Sequence, residues 1–221
     1  EVVEKCHILS VLIPDQVIGD VYDTYISPHL RAGHTLLFSH GYNIHYKVIQ
    51  TPEFINIVMA APSGAGTELR KRYIDGSGIP GLFAVHQDPS GDSEKIVLAY
   101  CRAIGLTKSG VVKSTFKEET ETDLFGEQVI LTGSIPKIIQ SSYKVLLEGG
   151  YSPDVSWLVC YYELKTIVDM FHSKGFEFMN TAISDTAEYG GITRGKRIID
   201  GNVENEIRKI LDEIQTGQFH S

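Results

Sequence analysis

Apolar positions crowd together early in the chain, in short blocks with little polar alternation. His7-Ile8-Leu9-Ser10-Val11-Leu12-Ile13 is one such block, and Pro14-Asp15 stops it. A run of this length and texture suits a strand covered on both faces. Residues 20–30 then place apolar side chains at helical spacing, with Gly33 past their end. Further strands are predicted over 35–39, 55–61, 81–85 and 111–115, and a helix over 93–104 that Gly105 ends. Strands and helices that alternate through short connections imply a parallel sheet with helices on both faces.

Past Phe116 the texture changes. Residues 118–147 carry almost no strand signal and several amphipathic helical stretches. Pro153 sits where a first-turn proline belongs in a helix reaching Ser173, with Gly175 beyond. Residues 202–215 form a polar-faced last helix, followed by Gly217. The pattern therefore predicts an α/β fold, half of a doubly wound sheet joined near Ser114 to an all-helical part. The sheet is expected to lack an opening strand, glycine loop and helix.

Composition narrows this little. With 221 residues, 42% hydrophobic and 22% charged, the chain has ordinary globular proportions. No apolar run approaches the ~20 residues that span a bilayer, and no signal-peptide pattern stands at the start. The net charge of −8 comes without a basic cluster that would mark a nucleic-acid footprint. Cys6, Cys101 and Cys160 show no CxxC spacing, so reduced thiols and a cytoplasmic location are expected.

One glycine motif invites a misreading. Gly76-Ser77-Gly78-Ile79-Pro80-Gly81 fits the letters GxGxxG. That fingerprint needs a strand before it and a helix after it, so that helix amides face a pyrophosphate. Here the predicted order is reversed, and Pro80 removes a donor. An ordinary loop is expected.

The most unusual stretch is Phe116-Lys117-Glu118-Glu119-Thr120-Glu121-Thr122-Asp123-Leu124-Phe125-Gly126-Glu127-Gln128, with five carboxylates in ten residues. Asp123 and Glu127 stand four apart and share a helical face, so both can reach one ion. Hard oxygen ligands of this kind suit Mg²⁺. The plainer alternative is a solvated acidic helix start, favoured by the helix dipole. Glu163 is a lone carboxylate in the apolar stretch Trp157-Leu158-Val159-Cys160-Tyr161-Tyr162-Glu163-Leu164. Buried, it needs a partner or a metal; at the edge of the stripe it needs neither.

These strings together resemble the ketol-acid reductoisomerase family. Residues 116–128 look like its metal-binding signature, and Ser39-His40-Gly41-Tyr42-Asn43-Ile44-His45-Tyr46 resembles its histidine loop. Pro14-Asp15-Gln16, residues 61–66, Gln87-Asp88-Pro89-Ser90-Gly91 and residues 183–190 fall in the same order. The resemblance implies a partial Rossmann-like NADP-binding domain over 1–113 and a helical metal- and substrate-binding domain over 114–221. It implies Mg²⁺-dependent alkyl migration of an acetohydroxy acid, then NADPH-dependent reduction to a dihydroxy acid, in valine and isoleucine biosynthesis. On this reading Asp123 bridges two Mg²⁺ ions, Glu127 binds one and Glu163 the other. Ser184 touches the substrate carboxylate, His40 is the active-site histidine, and Asp15 and Gly66 lie near the NADPH. Because such sites draw carboxylates from two subunits, a homodimer or larger homo-oligomer is implied.

Three positions depart from the family pattern. Ser63 stands where a lysine is usual, Val159 where a glutamate is usual, and Tyr162 replaces a histidine. Serine cannot supply positive charge to an anionic intermediate, and losing a carboxylate weakens the second Mg²⁺ site. With the opening strand and loop also expected to be missing, a divergent, truncated enzyme and a non-catalytic metal-binding or oligomerisation remnant both remain open.

Overall fold

The computed structural model describes residues 2–220. It forms two compact units, one running to Asp123 and taking in His220, the other from Leu124 to Phe219. The first begins with a short helix, α1 (Val2–Lys5), and β1 (Ile8–Val11). Helix α2 (Asp15–Val21) continues through a π-helical stretch, Tyr22–Ile26, and a 3₁₀ turn, Ser27–His29. Then come β2 (Thr35–Phe38), the single turn α3 (Tyr42–His45), β3 (Asn56–Pro62), α4 (Gly66–Asp75), β4 (Gly81–Gln87), α5 (Ser93–Ala103) and β5 (Val111–Lys113).

The five strands lie in chain order in one sheet. Side-chain alternation divides its core between two faces. Leu36 and Phe38 join Leu9, Val11, Ile57 and Met59 beneath Ile18 and Tyr22. Leu37, on the opposite face, joins Val58, Ala60 and Phe83 beneath Val97, Cys101 and Leu106. Leu36, Leu37, Ile57 and Val58 have no exposed surface, as expected of strands covered on both sides.

Two details differ from expectation. Helix α2 starts directly after Pro14 rather than at residue 20, with Asp15 in its first turn, where the dipole favours an acid. Strand β4 runs antiparallel to β3, with Pro62 opposite Gly81, whereas β1–β2, β2–β3 and β4–β5 are parallel. A parallel crossover would have to return the chain to the far end of the sheet. Instead the connection is tied back on itself: Gly78 N donates to Arg72 O at 3.0 Å, and Ser63 N to Pro80 O at 2.9 Å. Gly76 and Gly78 make that return at φ 84° and 71°, and a Cβ at Gly78 would collide with Gly105 O. The GxGxxG letters thus lie between a helix and a strand, as an ordinary loop.

Helix α6 (Phe116–Gly126) leads into the second unit, whose described residues form helices joined by short turns, with no strand among them. A π-helical stretch, Glu127–Ser134, precedes α7 (Ile135–Glu148). Helix α8 (Pro153–Trp157) is capped by the Ser152 side chain and passes through π-helical Leu158–Tyr162 into α9 (Glu163–Ala182), which Gly175 breaks at φ 85°. Helices α10 (Asp185–Ile198) and α11 (Gly201–Gln215) are capped by Ser184 and Asp200. Much apolar surface stays open: Trp157 is 49% exposed and Val159 54%. Val159, Leu164 and Ile167 face Ile138, Val145 and Leu146 across a groove of about 800 Å³.

Candidate functional site

Three parallel strands deliver their following loops to one end of the sheet. Asp15 follows β1, His40 follows β2, and the loop from Ser63 to Gly66 follows β3. The carboxyl ends of parallel strands are where open α/β sheets bind ligands, because helix amino termini and flexible loops gather there.

His40 is the best-organised of these residues. Its Nδ1 lies 2.8 Å from Glu119 Oε1 and 3.5 Å from Asp123 Oδ2. Since a carboxylate only accepts, Nδ1 is the protonated ring nitrogen. Glu119 Oε2 accepts the Gly41 amide at 2.7 Å, so one carboxylate holds both the ring and the backbone beside it. Gly41 is needed at this approach: a Cβ there would stand 2.6 Å from Phe116 O and closer still to Thr120 Oγ1. Phe116 itself is held by edge contacts with Phe38 and His86.

Charge and burial compete at His40. Burial lowers its pKa, but the Glu119 hydrogen bond and the charges of Glu119, Asp123 and Asp15 outweigh that and leave it raised. Asp15 is raised chiefly by burial, against the opposing effects of His40 and of Asn43, whose Nδ2 donates to Asp15 Oδ1 at 2.8 Å. A second histidine, His45, is anchored on the same helix, with Nε2 3.3 Å from Glu121 Oε1.

The acidic helix start is therefore only partly solvated. Glu119, Thr120 and Glu121 are buried at 3%, 0% and 8% exposure, while Lys117, Glu118 and Thr122 face outward. Two carboxylates tolerate burial because each meets a donor. Asp123 is the open one, its side chain 49% exposed beside the His40–Glu119 pair. His40, Glu119 and Asp123 offer ligand atoms within 4.8 Å of one another. Glu119 serves His40 and Gly41, and Asp123 adds to the same group an exposed carboxylate, a hard oxygen donor of the kind that suits Mg²⁺.

The other expected site residues fall elsewhere. Glu127, Glu163 and Ser184 belong to the second unit and are exposed. Glu163 thus carries no burial cost, and the apolar stripe around it lies open. Ser184 caps α10, its Oγ accepting Ala187 N at 3.2 Å. Gly66 opens α4 with nothing within 4 Å of a built Cβ, which leaves the helix amino terminus accessible to an anion. Glu119, Glu121, Gly41, Asn43 and His45 were not singled out in the sequence. Their signal lies in the histidine and acidic strings, but the pairing joins residues 78 or 79 positions apart, which spacing cannot show.

Comparison with known proteins identifies the family these strings resemble. Residues 1–110 match the family described as "Acetohydroxy acid isomeroreductase, NADPH-binding domain", and residues 116–221 match "Ketol-acid reductoisomerase, C-terminal domain". The chain is 47% identical over 219 residues to the ketol-acid reductoisomerase (NADP(+)) of Chloroherpeton thalassium, covering 99% of itself and 65% of that protein. It is 48% identical to the enzyme of the same name from Methanocaldococcus jannaschii, covering 66% of it. A solved NADH-preferring ketol-acid reductoisomerase from an uncultured archean superposes with a TM-score of 0.95 at 41% identity, over 99% of this chain and 66% of that one. The chain spans just under two thirds of the length of the curated relatives it matches.

Proposed function

Because this chain belongs to the ketol-acid reductoisomerase family, we propose that it works as one: Mg²⁺-dependent alkyl migration of an acetohydroxy acid, followed by NADPH-dependent reduction to a dihydroxy acid. The observation that carries this reading is His40, held through Nδ1 by Glu119 with the open Asp123 carboxylate 3.5 Å away. Asp123 would hold Mg²⁺, with Glu127 and Glu163 as further carboxylate ligands. Bound Mg²⁺ supplies Lewis-acid polarisation of the substrate oxygens.

The residues of the chain have distinct tasks. With Nδ1 committed to Glu119, His40 presents Nε2 to the reacting groups, where it can take or return a proton. Glu119 fixes the ring and its tautomer. Asp15 and Gly66, at the carboxyl ends of β1 and β3, would border the NADPH, with the α4 amino terminus facing its phosphates. Ser184 would meet the substrate carboxylate from the first turn of α10.

The open apolar groove between α7 and α9 supports a homo-oligomer, in which a second copy covers Val159, Leu164 and Ile167. A non-catalytic, metal-binding or oligomerising role is favoured by Ser63 and Val159, which withhold a positive charge and a carboxylate. It ranks second, because His40, Glu119 and Asp123 bring their side chains together.

The test is Mg²⁺-dependent NADPH oxidation by purified protein with 2-acetolactate, alongside Mg²⁺ calorimetry. Turnover that disappears in Asp123→Asn supports the enzyme. Mg²⁺ binding without turnover supports the second role. If Asp123→Asn leaves Mg²⁺ affinity unchanged, the metal assignment is wrong.

A further inference from the structure

We propose that the buried Glu121–His45 pair is a positioning device, the second of two anchors that together orient His40 toward Asp123. The inference rests on His40 being the functional histidine.

The local geometry calls for two anchors. His40 and His45 bracket the single turn α3, one just before it and one at its last residue. Each is met by a carboxylate of α6: Glu119 stands 2.8 Å from His40 Nδ1, and Glu121 3.3 Å from His45 Nε2. Asn43 ties α3 to Asp15 and Ile44 packs it into the sheet core, but with Glu119 alone the carboxylates of α6 would grip the loop only at His40 and Gly41, two adjacent residues. Gripped at one point, the turn can still shift against α6 and Asp123, and His40 would shift with it. The contact at His45 fixes the other end. Both partners are well shielded, with side chains 17% and 10% exposed. Competition is weak, since Lys117 reaches Glu121 only at 3.9 Å and is itself 70% exposed. Shielding matters because a polar group removed from water is costly to leave without its partner, so the contact resists being broken.

A merely structural pair would alter stability and nothing specific at His40. The readout is therefore the side-chain ¹⁵N spectrum of His40 in the full chain at fixed pH, with and without Mg²⁺. Glu121→Ala is expected to move the His40 Nδ1 resonance and to weaken its response to added Mg²⁺. Glu121→Gln, which keeps an acceptor for His45, is expected to restore both. Should Glu121→Ala fail to fold, His45→Phe, which keeps a ring but offers no donor, removes the same contact and is expected to give the same shift. Val97→Ala, in the core on the opposite face of the sheet from Ile44 of α3, serves as the control for general destabilisation. The proposal is overturned if the His40 resonance is unmoved in the pair variants, or if Val97→Ala moves it equally. Absence of acetolactate turnover in the unsubstituted chain would sink the enzymatic reading instead and leave this spectral answer standing.

Discussion

Glu119 holds His40 with one oxygen and the backbone next to it with the other. Oε1 lies 2.8 Å from the imidazole Nδ1, and Oε2 accepts the Gly41 amide at 2.7 Å. Ring and main chain therefore move together, and the carboxylate that orients the imidazole also keeps a buried amide satisfied.

Removing that carboxylate should be felt in folding as well as in chemistry. Glu119→Ala leaves the Gly41 amide and the His40 ring without their acceptor, a loss of about 1–3 kcal/mol for a buried unpaired donor. Urea denaturation measures it. An unchanged midpoint would show that water or another group takes over the contact, contrary to the burial of Glu119.

Two glycines should answer differently to the same added methyl group. Gly41→Ala drives a Cβ into Phe116 O and Thr120 Oγ1, and overpacking of this kind costs about 1–3 kcal/mol. Gly66→Ala meets nothing within 4 Å and should be tolerated within about 0.5 kcal/mol. Thermal unfolding of the two variants side by side tests the contrast, and equal losses would contradict the close packing of Gly41 on α6.

Ser184 is expected to have two separable tasks. As the cap of α10 it accepts the Ala187 amide, so Ser184→Ala should cost about 1 kcal/mol in helix stability. Ser184→Asp keeps a capping oxygen but adds a charge that repels a substrate carboxylate. It should preserve the melting temperature while raising KM for acetolactate. A stable Ser184→Ala variant would remove the capping role.

The turn before α5 should set part of the acid limb of stability. The Ser93 hydroxyl, 2.7 Å away, holds the Asp88 carboxyl below its ordinary pKa against the opposing effect of burial, aided by the Ser93 and Gly91 amides and the Ser90 hydroxyl. A depressed folded pKa contributes stability that is complete above the unfolded value. It is lost as pH falls through the folded one, hence below about pH 4. Asp88→Asn should accordingly flatten the decline in unfolding midpoint on acidification. Parallel curves for the two proteins would contradict this.

Much of the sheet could be read from the chain because its strands are covered on both faces. Four consecutive buried residues in β2 and six in β3 leave an unmistakable apolar block. Direction is another matter. Nothing in the letters of Gly81–Gln87 says that β4 opposes β3, since that follows from hydrogen bonds between residues 63 and 80 that no local pattern announces. At the site, His40 and Asp123 were legible through their strings. Their common partner was not, because Glu119 sits among residues that look like a solvated acidic helix start, and its burial depends on donors far away in sequence. The apolar stripe around Glu163 allowed either a buried or an exposed carboxylate, and Trp157 and Val159 remain exposed in the second unit, as Glu163 does.

The doubling back of the chain after β3 brings an unannounced neighbour to the loop that carries Ser63. Pro80 touches that loop through its carbonyl, although it belongs to none of the strings that carry the resemblance. Insertions or exchanges between Gly76 and Pro80 therefore offer a route to reshaping the rim beside Gly66 without altering His40, Glu119 or Asp123. Engineering of ligand preference could begin there.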